Sequence, residues 1–223
     1  MKKSTTVELP KTLNRYGYFV THIYDVDAPQ FLKGMSKVSE EHLKKAKKVQ
    51  KETNSLCPVT MSDNYCNDPK IVNFTRFVGE TAWNIFSEQG YAMDDKVTYF
   101  TELWAHEHHK TSNMEQHVHG GGAQMVGFYF LECPEECSKV LIYDPRPGKV
   151  QINPPQRNDN VLSDSSVIVN FTPKAGMIMF LPAWLPHSFT RNGSDKPMKF
   201  VHFNISIQNF APTLFTSSPA EVV

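Results

Sequence analysis

Residues 176–187 read Gly-Met-Ile-Met-Phe-Leu-Pro-Ala-Trp-Leu-Pro-His. Glycine opens the segment, four apolar residues follow, Pro182 and Pro186 bracket a turn, and His187 stands at the start of whatever comes next. A short apolar run bounded by Gly and Pro predicts a buried strand rather than a helix. The neighbouring segments share that character. Val97–Trp104, Gln124–Leu131, Val140–Tyr143, Val167–Phe171, Met177–Leu181 and Lys199–Gln208 are short β-type runs separated by turns. The sharpest of these turns is Asp144-Pro145-Arg146-Pro147-Gly148. Many short strands at this spacing predict a sandwich or barrel and not alternating strand–helix units.

Upstream of residue 96 the pattern changes. Phe31, Met35, Val38, Leu43, Ala46 and Val49 recur near a helical period, predicting a helix from Asp27 to about Gln50 with Asp27 as cap. Lys44, Lys45, Lys47, Lys48 and Lys51 crowd its last turns as a solvated face near the negative helix end. A second helix is predicted from Pro69 to Gln89. Asp68 caps it, Gly90 ends it, and Ile71, Phe74, Val78, Ala82 and Ile85 form its apolar face. The organisation expected is one domain over 1–223. It comprises a helical elaboration at 1–95, a β core at 96–210 and a tail at 211–223.

Composition narrows the function classes. Of 223 residues, 40% are hydrophobic and 21% charged, as in ordinary globular proteins. Lys plus Arg and Asp plus Glu stand at 23 each, so no net field favours nucleic acid or an anionic membrane. The N-terminus carries two lysines without an apolar stretch behind them, so no signal peptide is read. No apolar run is long enough to span a bilayer. Four cysteines in this length suit a reducing compartment, and a cytoplasmic location is expected, bacterial or in a host cell if the source is viral. Cys133 and Cys137 are read as incidental thiols, since no second pair stands at zinc-site spacing.

Nine histidines are the chemical signal. His106, His108 and His109 follow Trp104 in a polar stretch and are expected as exposed loop residues near the mouth of a pocket. His117-Val118-His119 differs. On an extended chain residues i and i+2 face the same side, so two imidazoles can grip one metal. Gly120-Gly121-Gly122 follows and allows a sharp bend. His187 then supplies a distant third ligand. Three protein ligands leave coordination positions open, as catalysis requires. His202 shares a strand face with Phe200 and Asn204, opposite Lys199, Val201 and Phe203. It is read either as a core histidine or as a pocket residue.

Together these residues resemble the 2-oxoglutarate and iron(II)-dependent oxygenases, on the prolyl-hydroxylase-like side and in a branch found in bacteria and their viruses. The resemblance covers roughly residues 97–208. It is carried by Trp104, His117-x-His119, Gly127-Phe128-Tyr129-Phe130, Asp144-Pro145-Arg146, the 176–187 segment and Phe203-Asn204. It implies a double-stranded β-helix of the jelly-roll or cupin-like kind, mainly β with flanking α-helices on one sheet. It implies Fe(II) as metal, 2-oxoglutarate as cosubstrate, dioxygen as oxidant and oxygenation of a C–H bond. The family's usual carboxylate ligand is replaced here by His119. For the cosubstrate, Tyr129, Arg146, Arg191, Lys199 and Asn204 are the candidate contacts. Trp104, Gln124 and His202 are candidate pocket residues. The primary substrate is expected to be a protein side chain or a small molecule, and nucleic acid ranks below both. A three-histidine cupin dioxygenase, with Gln124 near the metal, and a metal-binding module without turnover are the alternatives.

Overall fold

A computed structural model describes residues 13–18 and 21–209. The expected tail at 211–223 lies outside them. Among the described residues eleven strands form two sheets. The larger has the order β1 (Leu13–Tyr18), β2 (Thr21–Asp27), β9 (Met177–Pro182), β6 (Met125–Glu132), β11 (Met198–Asn209), β4 (Lys96–His108), β3 (Val59–Met61). The smaller has the order β5 (Met114–His117), β10 (His187–Phe189), β7 (Val140–Tyr143), β8 (Ile168–Phe171). All pairings are antiparallel. Two facing sheets of this kind, with helices on the outside of one, make the double-stranded β-helix expected from the resemblance.

Strand alternation sorts the side chains into two cores. Along β6, Val126, Phe128 and Phe130 point between the sheets, where they meet Phe189, Phe200, Met179 and Ile142. Met125, Tyr129 and Leu131 point the other way, into a second core built with α1 (Leu32–Glu52) and α2 (Val72–Glu88). Gly127 has a steric reason: a Cβ there would enter the ring of its cross-strand neighbour Phe203 and come within 2.6 Å of the Met179 carbonyl.

The second helix follows its expected face, with Phe74, Val78, Ala82 and Ile85 buried. Asp68 does cap, accepting from the Lys70 amide, but the turn it caps is a 3-10 turn at Pro69–Ile71 that leads into α2. Gly90 follows the end of α2 at φ +90°, a conformation glycine adopts without cost. The first helix departs from expectation. Asp27 ends β2, and Ala28 and Phe31 take the N-cap positions of the two helical segments that follow. A 3-10 turn at Pro29–Phe31 intervenes, and α1 begins at Leu32. Val49, expected on the apolar face, is exposed, because only the first half of α1 lies against the sheet.

Three further corrections concern the strands. Residues before 96 are not purely helical: β1, β2 and β3 lie there, and β2 pairs with β9 to extend the large sheet. The 97–104 strand continues to His108, because β11 and β3 both pair with its far end. The turn read at residues 144–148 passes into a short helix, α3 (Pro147–Ile152). Among the described residues no helix is long and apolar enough to cross a membrane. All four cysteines are free.

Candidate metal centre

The three predicted ligands meet. His117 ends β5 and His187 begins β10, and the two are direct cross-strand partners. Past β5 the chain is held by the His119 amide, which donates to the Ala183 carbonyl at 2.8 Å. Gly121 and Gly122, both at positive φ, then turn it away. One ligand nitrogen from each of His117, His119 and His187 lies within 4.8 Å of the others. The Nε2 atoms of His119 and His187 are 3.3 Å apart. Adjacent ligands at about 2.1 Å from a shared metal would stand about 3 Å apart, so the spacing fits one ion.

Backbone carbonyls set the tautomers. His117 Nδ1 stands 2.7 Å from the Glu115 carbonyl, and His187 Nδ1 stands 2.9 Å from the Leu185 carbonyl. A carbonyl only accepts, so each Nδ1 carries the proton and each Nε2 presents a lone pair to the cluster. Burial pushes the His187 imidazole down to about 3 and that of His119 to about 4, with the neighbouring histidines adding to the shift. Both are therefore neutral and ligation-competent at physiological pH. Three neutral imidazoles with open positions suit a first-row divalent ion, ferrous iron included.

Around this triad lies a second set of imidazoles. His202 stacks on His119 at 4.9 Å and on Trp104 at 5.0 Å. His106 stacks on Phe200 at 4.8 Å, and His108 meets Phe200 and Phe189 edge-on. The expectation for His106 and His108 is corrected: both are buried, on the inward face of β4. Only His109 of that stretch is exposed. The readable signal was the period-two series Trp104, His106, His108, which continues the inward face of β4. Imidazole counts as polar in any hydropathy pattern, yet in neutral form it packs as an aromatic ring.

The proposed cosubstrate contacts scatter. Tyr129 faces the helices: its hydroxyl donates to the Ala28 carbonyl at 2.9 Å and its ring packs on Phe74. Lys199 lies on that same outer face, bonded to Glu40 at 3.2 Å and Glu132 at 3.1 Å. Arg146 forms a two-point bridge to Asp144, at 2.8 and 2.7 Å. Arg191 is exposed, between β10 and β11. Asn204 does face inward, donating to Glu102 at 2.6 Å. Of the pocket residues, Trp104 and His202 lie beside the triad. Gln124 lines a cavity next to it, but its Oε1 accepts from the Ile207 amide at 2.6 Å, which commits that oxygen elsewhere than to a metal.

That cavity, of about 510 Å³, opens beside His119 and is bordered by Tyr24, Tyr91, Lys96 and Trp184.

The comparisons agree with this geometry. Residues 102–204 match the family described as "Putative 2OG-Fe(II) oxygenase". No curated protein matches the sequence. Among solved structures, a Pseudomonas putida prolyl-4-hydroxylase is similar with TM-score 0.50 and 9% identity, over 87% of this chain and 92% of that one. A non-heme alpha ketoglutarate dependent carbocyclase, SnoK, from nogalamycin biosynthesis is similar with TM-score 0.52 and 10% identity, over 81% of this chain and 79% of that one. At such identities the likeness is one of fold.

Proposed function

We propose that this chain, whose barrel belongs to the 2-oxoglutarate and iron(II)-dependent oxygenases, holds its ferrous ion on His117, His119 and His187 and oxygenates a substrate that reaches the site through the cavity beside His119. The observation that carries the ligand assignment is the convergence of three imidazole nitrogens within 4.8 Å, two of them fixed as lone-pair donors by backbone carbonyls.

When bound, ferrous iron and 2-oxoglutarate supply the oxidising power, by coupling oxidative decarboxylation of the 2-oxo acid to oxygenation of a C–H bond. The chain's own residues do the positioning. His117 and His187 hold their tautomers through Glu115 and Leu185, so no proton must leave before metal enters. Phe128 packs against His187 at 5.6 Å and against His202 at 5.6 Å, which keeps the interior side of the triad dry.

The cavity sets the substrate side. Its volume is in the range of small-ligand sites, and Tyr24, Tyr91 and Trp184 give it aromatic walls. It takes a small molecule or a single protein side chain. The protein acts in the cytoplasm, a reading supported by its four free thiols.

The test is metal analysis combined with a 2-oxoglutarate consumption assay on the iron-loaded chain. One iron per chain and slow release of succinate are expected. Absence of both iron retention and 2-oxoglutarate turnover overturns the reading. Oxygen uptake that ignores 2-oxoglutarate would point instead to direct substrate binding at the metal.

A further inference from the structure

We propose that the distal carboxylate of 2-oxoglutarate is received by the imidazoles of His106 and His108, in place of the lysine or arginine that such a carboxylate ordinarily requires. This rests on the functional reading above and specifies how that same site holds its cosubstrate.

The first observation is an absence of cations. Among the described residues, no lysine or arginine is buried; Lys96, at the start of β4, borders the cavity beside His119 but is bonded to Asp95 at 2.6 Å and Asn209 at 2.8 Å. The basic residues nearest in sequence to the strand ends are engaged or outside. Lys199 lies on the opposite face of β11 with Glu40 and Glu132, Arg146 is bridged to Asp144, and Arg191 is exposed.

The second observation is a concentration of unpaired polar atoms at one place. Trp104 Nε1, both ring nitrogens of His106, His108 and His202, and Asn204 Oδ1 are all buried without a hydrogen-bond partner. Buried polar atoms in folded proteins are nearly always paired, because an unpaired one costs about 1–3 kcal/mol. A concentration of such atoms on two adjacent strands is therefore the mark of a missing polar ligand. Each neutral imidazole brings one N–H, and an indole N–H adds another. An incoming carboxylate, which only accepts, can pair with these N–H groups.

The third observation is position. The β4–β11 register sets Trp104 opposite His202, His106 opposite Phe200, and His108 opposite Met198. From the triad the rings step away in order. His119 lies 4.9 Å from His202, His202 lies 5.9 Å from His106, and His106 lies 5.9 Å from His108. A five-carbon dicarboxylate chelating a metal at the triad would meet these donors if its far end lay along this row. His106 and His108 share one face of β4, so a carboxylate can take one N–H from each. Phe189 and Phe200 wall this end of the row. In such a dry surround, hydrogen bonds to a charged acceptor are stronger than in water. His202, next to the metal ligand His119, is left to the chelating end.

The experiment compares two ligands on the full iron-loaded chain under anaerobic conditions, by calorimetry. The ligands are 2-oxoglutarate and 2-oxopentanoate, which has a methyl group where the distal carboxylate would be. Wild type should prefer 2-oxoglutarate by at least about tenfold. His106→Phe and His108→Phe keep the aromatic packing and should each remove most of that preference. They do so by weakening 2-oxoglutarate alone, with iron content and melting temperature retained. His106→Gln, which keeps an N–H donor, should preserve it in part, as a purely structural role would not. Lys199→Met and Arg191→Gln should leave it unchanged. Undiminished preference in both phenylalanine variants, loss of preference in Arg191→Gln, or equal binding of the two acids by wild type each overturns the proposal. Wild type that binds neither acid overturns the functional reading itself.

Discussion

Asp144 gives the most quantitative test of the framework that carries the metal centre. Its carboxylate is wholly shielded from solvent and is met by Arg146 at 2.7 Å and Lys149 at 3.2 Å. It also accepts from the Arg146 amide at 3.0 Å, while its own amide donates to the Val167 carbonyl at 2.9 Å. Burial by itself would raise the carboxyl, but the hydrogen bonds from Arg146 and Lys149 outweigh it and hold the group down to about 2. The ordinary value is 3.8. A difference of about 1.8, at 1.36 kcal/mol each, corresponds to about 2.4 kcal/mol. Because the Arg146 side chain is 40% exposed, solvent screening makes this an upper figure, and about 2 kcal/mol is expected. The folded value is depressed, so the contribution is complete above pH ~5 and is lost as pH falls towards 2, with roughly half remaining at pH 3. Asp144→Asn removes it. Urea unfolding of the two proteins between pH 7 and pH 3 should show a gap of about 2 kcal/mol that narrows steadily through the acid range. A gap independent of pH would mean that Asp144 acts through shape or its turn hydrogen bonds, and the electrostatic argument would be refuted.

Other outcomes follow from the same geometry. His187→Ala should reduce iron from about one per chain to near zero by elemental analysis. It should cost about 1–3 kcal/mol in unfolding free energy, since His187 is fully buried. His119→Asp should retain iron but bind 2-oxoglutarate at least about tenfold more weakly by calorimetry, because the added negative charge opposes a dianion. Gly127→Ala should destabilise by about 3 kcal/mol or more in urea, because the new methyl group meets the Phe203 ring and an immovable Met179 carbonyl.

The parts of this fold that sequence revealed are those governed by a short period. The apolar series Phe74, Val78, Ala82, Ile85 and the runs at 125–132 and 198–209 follow directly from which residues touch a core. The triad was legible for a similar reason, since an i, i+2 pair and a Pro-bounded distant histidine need only a strand and a turn to converge. The β1–β2 hairpin was overlooked although Thr21, Ile23 and Tyr24 are strand-forming residues, because its pairing with β9 spans some 150 residues and leaves no local trace. The inner histidines were missed because ring polarity was weighed without ring burial. The two cosubstrate candidates on β11 divide by parity: Lys199 and Asn204 lie an odd number of positions apart on one strand, so they face opposite sides of the sheet. Only one of the pair could ever have faced the metal.

The two departures of this chain from the usual pattern of the oxygenases it resembles are linked by charge. In that pattern a carboxylate ligand brings the ferrous centre to a net charge of one, and a basic residue on the barrel wall adds one more. Here an all-imidazole set leaves the full double charge on the metal, and the wall around His106 and His108 is neutral. Burial pushes the His106 ring well below its ordinary value and His108 to about 4, so neither supplies a cation to that wall. The total facing a dianionic cosubstrate is the same two charges in both designs, moved from the wall to the ion. A buried cation on the wall would cost several kcal/mol of desolvation and would stand close to an already doubly charged centre. Neutral imidazole N–H donors in its place avoid that buried charge and can still meet the distal carboxylate. On this argument the histidine at 119 and the missing lysine or arginine are one adaptation, and neither would be expected to change without the other.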